Sequence, residues 1–148
     1  MFDFHMHSTV SFDGHDTGLA MAMAARAAGL REICFTNHMD YEPGAAVQTM
    51  LYDLDAYSRE YDGLELPGLK IRRGMEFGMA PDNAAQLRAD MAKRHYDFVL
   101  GSVHFVGCHD VYFAPYWEGP AAHGYRDPSR GDHRPKSVYR PRYGRGDR

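Results

Sequence analysis

Short apolar segments that end in a metal-binding type of side chain recur along this 148-residue sequence. Each segment has the length and the alternation of a strand, and stretches with a helical spacing of apolar residues separate them. Strands that alternate with helices predict βαβ units and a parallel sheet, so we expect an α/β fold. In such folds the functional groups lie at the carboxyl ends of the strands.

Four strands and three helices are predicted. The strands are 2–6, 31–36, 69–75 and 98–103, and the helices are 19–28, 51–61 and 83–95. Asp16 or Thr17 can act as the N-cap of the first helix, and Gly29 is a favourable C′ residue at its end. In the third helix, Leu87 and Met91 are predicted to share the face that packs on the core.

Each predicted strand leads into a metal-binding residue type; in chain order these are His5 with His7, His38, Glu76 and His104. His5 and His7 are two residues apart, so their imidazoles point to the same side of a strand. A carboxylate such as Glu76 can bridge two cations, as two-metal hydrolytic sites require. Imidazole and carboxylate ligands together indicate zinc, iron or manganese. The sequence therefore predicts a site for divalent metal ions.

Nothing in the sequence indicates secretion or a membrane partner. No apolar run approaches the roughly 20 residues that cross a bilayer. The first residues have neither the basic start nor the apolar stretch of a signal peptide. The two cysteines, Cys34 and Cys108, form neither a disulfide framework nor a Cys-x-x-Cys pair. We therefore expect a cytoplasmic protein.

The charge of the sequence changes sign near its end. Residues 1–119 have a net charge of −8, whereas residues 120–148 have a net charge of +5 and hold four of the eight prolines. This Pro, Gly and Arg-rich tail has too few large apolar residues to offset the entropy cost of ordering. It is interpreted as a plain disordered tail, as an out-of-frame translation, or as a basic tail that binds nucleic acid or an acidic partner. Its arginines are scattered, so nucleic acid is not the expected partner.

Several sequence motifs together resemble a known family. They are 3–8 (Asp-Phe-His-Met-His-Ser), 11–14 (Ser-Phe-Asp-Gly), 33–38 (Ile-Cys-Phe-Thr-Asn-His), 74–78 (Gly-Met-Glu-Phe-Gly) and 101–105 (Gly-Ser-Val-His-Phe). Their sequences and order resemble the polymerase-and-histidinol-phosphatase (PHP) superfamily, and within it the histidinol-phosphatase branch. The resemblance implies a distorted, TIM-like (β/α)7 barrel that hydrolyses a small phosphomonoester. For this branch the substrate is L-histidinol phosphate, and the pathway is histidine biosynthesis.

The resemblance also implies a centre of up to three divalent metal ions held by six side chains: His5, His7, Asp13, His38, Glu76 and His104. His5, His7 and Glu76 would hold one metal, and Glu76 with His104 would hold a second. The other two side chains would contribute to a third. Glu76 and His104 are the implied catalytic residues. His15 is the less favoured substitute for the carboxylate in the 11–14 motif.

The resemblance covers residues 1–119, whereas a β/α barrel of ordinary size takes about 250 residues. We therefore expect a partial PHP domain over 1–119, the N-terminal portion of a truncated barrel, followed by the tail at 120–148. The family pattern continues with another histidine after a further helix and then with an Asp-x-His near the end of the barrel, and neither motif is recognised after Gly119. The alternatives to a histidinol phosphatase are another phosphoesterase of the superfamily and a metal-binding fragment without turnover. The oligomeric state is left open.

Overall fold

The computed structural model describes residues 1–107 and 109–112. Seven strands and three helices occur in this part of the chain. The strands are β1 (Phe2–Met6), β2 (Glu32–Phe35), β3 (His38–Met39), β4 (Lys70–Gly78), β5 (Phe98–Ser102), β6 (Phe105–Val106) and β7 (His109–Asp110). The helices are α1 (Gly18–Ala27), α2 (Leu54–Tyr61) and α3 (Ala84–Lys93).

The first five strands form one parallel sheet. Its order is β1-β2-β4-β3, and β5 pairs with β4. All four pairings are parallel, while β6 and β7 form a separate antiparallel pair. The predicted α/β fold with a parallel sheet is therefore confirmed. Closure of the sheet into a barrel stays a prediction, as does the domain boundary at Gly119, because the tail at 120–148 lies outside the described residues.

Helix α1 has the predicted signals at both ends. Thr17 is the N-cap, and its side chain accepts a hydrogen bond from the backbone N–H of Ala20. Gly29 follows the C-cap with a φ of 80°, a left-handed conformation that glycine adopts without steric cost. Ala22 and Ala25 are buried. These small side chains let the helix lie close to the sheet.

Helix α2 begins three residues later than the predicted start at Leu51. Leu51 instead forms an antiparallel bridge with Met39. Asp53 accepts a hydrogen bond from the N–H of Ala56 at 2.6 Å and so acts as the N-cap. The helical spacing of apolar residues extends across this boundary, but the capping carboxylate decides where the helix begins.

Strand β4 is longer than predicted and runs through Glu76 rather than ending before it. The extension pairs with β3 on one side, where His38 lies opposite Glu76, and with β5 on the other. Strand β3 has only two residues and was not predicted. Two residues are too few to show the alternation of a strand in the sequence. Only the pairing with β4 defines β3 as a strand.

Helix α3 is shorter than the predicted 83–95, and its buried face differs from the predicted one. Met91 is 47% exposed, whereas Asp90 is 1% exposed. The Asp90 carboxylate accepts hydrogen bonds from Tyr41 Oη and Lys93 Nζ, each at 2.7 Å. These bonds compensate for its burial. Leu87 does pack against the core, as predicted.

The apolar core lies between the sheet and the helices. Ile33 and Phe35 of β2 and Met75 and Phe77 of β4 are fully buried there, and Tyr57 of α2 packs with them. Side chains alternate along a strand, so Glu76 points to the opposite face of the sheet. The alternation therefore separates the core from a polar site on the other face. None of the described helices has both the length and the apolar character needed to span a membrane.

Candidate metal centre

Four imidazoles surround the carboxylate of Glu76 at the carboxyl end of the sheet. The Nε2 atoms of His5 and His7 lie 3.0 and 2.9 Å from Oε2 of Glu76. Nε2 of His104 lies 3.2 Å from the other oxygen, Oε1. Nδ1 of His38 lies 3.6 Å from Oε2. One oxygen of the carboxylate thus faces three imidazoles, and the other faces the imidazole of His104.

Two glycines of β4 leave room for neighbouring side chains on the face of the sheet that bears Glu76. A Cβ atom at Gly74 would lie 2.7 Å from Sγ of Cys34, and one at Gly78 would overlap the carboxylate of Asp40. Both glycines are two residues from Glu76 and share its face of the sheet. Their missing side chains make room for groups from the adjacent strands.

Asp13 reaches the centre from the loop between β1 and α1. Nδ1 of His7 donates a hydrogen bond to Oδ2 of Asp13 at 2.8 Å, and Nε2 of His38 lies 3.4 Å from the same oxygen. The loop folds back on itself so closely that a side chain at Gly14 would overlap the backbone of Ser8. Glycine is therefore required after Asp13, because only a residue without a side chain permits the turn that places the Asp13 carboxylate at the centre.

Asp40 is a further carboxylate of the centre, and the sequence analysis missed it. It is 1% exposed, and its Oδ2 accepts a hydrogen bond from Nδ1 of His104 at 2.7 Å. The same oxygen lies 2.9 Å from Nδ1 of His38. A signal was available, because Asp40 follows His38 by two residues and extended backbone places such residues on one face.

The described residues contain three groups of side chains whose ligand atoms are close enough to hold a metal ion. The groups are His5 with His7 and Glu76; His7 with Asp13 and His38; and His38 with Asp40 and His104. All six predicted site residues are therefore brought together at one end of the sheet. Their assignment as metal ligands stays a prediction. His15 is not part of these three groups.

Unpaired polar atoms at the centre fit a bound cation. Nε2 of His7 and Nδ1 of His38 are buried and have no hydrogen-bond partner. Nε2 of His7 lies close to Glu76, but the two groups are not aligned as a hydrogen bond. A buried polar atom without a partner costs free energy, and an ion that accepts its lone pair removes that cost. Imidazole nitrogens and carboxylate oxygens are donors that zinc, manganese and iron accept.

The electrostatics favour ionised carboxylates. Burial acts to raise the pKa of Glu76, but contacts with His104, His7 and Ser102 outweigh it and hold that pKa far below its usual range. Burial also acts to raise the pKa of Asp40, but His104 and His38 outweigh it, so the pKa of Asp40 is lowered. The hydrogen bond to Asp40 and the contact with Glu76 raise the pKa of His104 to about 10. In the metal-free chain the protonated imidazole of His104 supplies positive charge beside the two carboxylates, where a metal would otherwise supply it.

Comparison with known proteins places the chain in a family. The PHP domain family matches residues 3–139, a range that extends past Gly119. A histidinol-phosphatase from Lactococcus lactis is 33% identical over 114 residues, which are 74% of this chain and 41% of that protein. A probable histidinol-phosphatase from Deinococcus radiodurans is 32% identical over 136 residues, with 84% of this chain and 52% of that protein covered. The chain thus spans about half the length of these relatives.

A solved structure shows the same arrangement of elements. The crystal structure of histidinol phosphate phosphatase from Lactococcus lactis, complexed with zinc, L-histidinol and phosphate, matches with a TM-score of 0.70 and 32% identity. The match covers 78% of this chain and 44% of that one. The motif resemblance, the parallel sheet, the clustered candidate residues and the match over residues 3–139 lead to one assignment: the chain belongs to the PHP domain family.

Proposed function

We propose that this chain contributes to the metal-dependent hydrolysis of a phosphomonoester, with L-histidinol phosphate as the substrate and histidine biosynthesis as the pathway. The observation that carries the proposal is the carboxylate of Glu76. One of its oxygens faces His5 and His7, and the other faces His104. That geometry suits a carboxylate that bridges two cations in a hydrolytic site. The names of the two relatives support the choice of substrate.

The proposed ligands are the six side chains predicted from the sequence: His5, His7, Asp13, His38, Glu76 and His104. Divalent zinc, manganese or iron, up to three ions, would occupy the groups that these residues form. The relative's crystal structure with zinc supports zinc in particular. When bound, such ions polarise phosphoryl oxygens and lower the pKa of a coordinated water.

The residues of the chain itself would orient the substrate's phosphoryl group and keep the centre ordered. Glu76 is 2% exposed, and Ser102 Oγ donates a hydrogen bond to its Oε1 at 2.5 Å, which fixes the carboxylate. The His5 side chain, in contrast, is 55% exposed. The centre is therefore open on the His5 side, and we propose that the phosphate ester enters there. Glu76 and His104 are the proposed catalytic residues.

We further propose that the reaction takes place in the cytoplasm and that the partner is the small phosphate ester. Neither a membrane nor a nucleic acid is part of this proposal. The part of the chain that bears the ligand residues is acidic, which disfavours a nucleic acid as the ligand of that surface.

Phosphate release by the full chain tests the proposal. The chain is loaded with zinc or manganese, and L-histidinol phosphate is compared with a nucleoside monophosphate and p-nitrophenyl phosphate. We expect turnover of L-histidinol phosphate at a higher kcat/KM than of the other two. Equal rates on all three esters would favour a general phosphoesterase. Metal bound near stoichiometrically without turnover would favour a metal-binding domain without activity.

Two histidine variants provide the control for that assay. His104→Gln should abolish turnover, because it removes a proposed catalytic residue beside Glu76. His95→Gln should leave turnover unchanged, because the His95 side chain is 85% exposed and lies outside the three ligand groups. Equal loss in both variants would point to a general effect of the substitutions rather than to the proposed site.

A further inference from the structure

A single carboxylate lies beside two of the candidate metal-binding imidazoles. Oδ2 of Asp40 accepts a hydrogen bond from Nδ1 of His104 at 2.7 Å. The same oxygen lies 2.9 Å from Nδ1 of His38, but those two groups are not aligned as a hydrogen bond. Asp40 is 1% exposed, so water does not compete for this oxygen. The carboxylate is therefore engaged mainly with one ring.

The hydrogen bond to Asp40 decides which nitrogen of His104 is free. A neutral imidazole carries one hydrogen, and when Nδ1 donates that hydrogen the lone pair is on Nε2. Nε2 of His104 faces Oε1 of Glu76 at 3.2 Å. A metal between these two atoms would meet a correctly oriented lone pair. Carboxylates that accept a hydrogen bond from a metal-binding histidine fix its tautomer and its ring orientation in this way.

We propose that Asp40 is a positioning residue, which holds Nδ1 of His104 so that Nε2 is presented to a metal shared with Glu76. The inference rests on the metal centre of the proposed function and deepens it. In this role Asp40 stays outside the ligand set, although it belongs to one of the three possible groups. Its Oδ2 is engaged by His104, and its Oδ1, which has no hydrogen-bond partner, lies against β4 at Gly78.

Gly78 makes this placement possible. A Cβ atom at residue 78 would overlap Oδ1 of Asp40, so the carboxylate lies where only a glycine permits it. The backbone N–H of Asp40 donates to the carbonyl of Met50 at 3.1 Å, which fixes the residue on the other side. Carboxylate, glycine and imidazole thus form one packed unit beside Glu76.

Zinc affinity of the full chain tests the proposal. Wild type, Asp40→Asn and Asp40→Ala are titrated with zinc against a chromophoric chelator. We expect the weakest-bound zinc to lose about 10–100-fold in affinity in both variants, as is usual when a carboxylate behind a metal-binding histidine is replaced. The number of zinc ions bound at saturation should stay the same. Loss of one zinc equivalent at saturation would make Asp40 a direct ligand and would overturn the proposal.

Asp90→Asn is the matched control. Asp90 is also 1% exposed and also accepts hydrogen bonds, but its partners are Tyr41 and Lys93 rather than the imidazoles. It should keep the wild-type zinc affinity. If the Asp40 variants bind zinc as tightly as Asp90→Asn does, Asp40 has no positioning role.

Gly78→Ala provides a second variant that keeps the carboxylate and its charge. The new methyl group should displace Asp40 from His104, and zinc affinity should fall as in Asp40→Asn. A long-range ¹H–¹⁵N spectrum of the zinc-loaded wild type should show His104 with a protonated Nδ1 and a metal-bound Nε2. A metal-bound Nδ1 would contradict the proposal directly.

These readouts separate the positioning role from the proposed function. A chain that binds zinc in an Asp40-dependent way but hydrolyses no phosphate ester would contradict only the proposed function. A wild-type chain that binds no zinc would overturn both. Turnover that survives in Asp40→Asn with unchanged zinc affinity would overturn only the role of Asp40.

Discussion

Glu76 is the residue on which the candidate centre depends most. Its carboxylate contacts imidazoles through both oxygens, and it is almost completely buried. Removing it would take away a ligand shared between groups and leave the imidazoles with no anionic partner at that position. A shared ligand therefore has a larger effect on the centre than a ligand of one ion.

Replacement of Glu76 by alanine should strip bound metal as well as activity. We expect less metal per chain in Glu76→Ala than in wild type, because the bridging oxygens are lost. Elemental analysis after gel filtration in zinc-buffered solution measures this directly. Unchanged metal content in the variant would contradict the bridging role. The Asp90→Asn variant, with a buried carboxylate removed elsewhere, is the control for the lost charge.

The metal-free chain should lose stability as the pH is raised. The folded-state pKa of His104 is about 10 because of Asp40 and Glu76, whereas the unfolded value is about 6.5. A raised pKa contributes stability that is fully present below pH 6.5 and is lost progressively up to about pH 10. The melting temperature of the chelator-treated chain, measured across that range, should therefore fall.

Two controls assign this pH dependence to His104. His104→Gln should flatten the profile, whereas His95→Gln should leave it as in the wild type. Saturating zinc should also reduce the slope, because the metal replaces the proton on the imidazole. A melting temperature of the metal-free wild type that rises between pH 6.5 and 10 would have the wrong sign for this explanation.

Residue patterns predicted the six site residues but not Asp40. Five of the six lie at the ends of predicted strands, and the resemblance of the 11–14 motif to the family implied Asp13. Asp40 acquires its role from contacts with His104, which is 64 residues away along the chain. The two-residue spacing between His38 and Asp40 indicated only that their side chains lie on the same face of extended backbone.

At the scale of elements, capping residues determined where helices α1 and α2 begin, and the spacing of apolar residues did not. Helix α1 begins at its Thr17 cap as the sequence suggested, while α2 begins after Asp53 rather than at Leu51. Apolar spacing is continuous through the start of α2, so periodicity alone extends the helix too far. The capping hydrogen bond identifies the correct start.

Asp53→Ala should destabilise the chain by about 1 kcal/mol, the usual effect of losing an N-cap side chain. The N–H of Ala56 would lose its acceptor. Asp53→Asn is the matched control. Asparagine caps helices about as well as aspartate, so this variant should keep nearly the wild-type free energy of unfolding. Urea denaturation of the zinc-free proteins gives both values. Equal losses in the two variants would mean that charge, and not capping, stabilises this helix start.

At the scale of the whole molecule, the candidate metal centre is built from elements that are far apart in the chain. Its side chains come from β1, the loop after it, β3, β4 and the residues after β5. A bound ion would therefore tie together segments that separate on unfolding. A ligand that binds only the folded state stabilises it by RT ln(1 + [L]/Kd), where [L] is the free ligand concentration.

Free zinc at 100 times its dissociation constant should raise the free energy of unfolding by about 2.7 kcal/mol per site. Chemical denaturation in zinc-buffered solution, compared with the same experiment in chelator, measures the difference. Glu76→Ala should gain much less, because it has lost the bridging ligand. An equal gain in the variant and the wild type would mean that zinc binds outside the proposed centre.

The sequence by itself determined the alternation of strands and helices, the parallel sheet and the identity of six candidate ligands. Most of this follows from local information: apolar periodicity, capping residues and the residue type at each strand end. Asp13 is the exception, because the resemblance of its motif to the family implied it. Only the tertiary structure decided that β4 runs through Glu76, that β3 exists, and that Asp40 lies against His104. Each of these depends on contact between segments that are distant in the chain. A local pattern cannot predict such a contact, because the partner is brought near only by the fold.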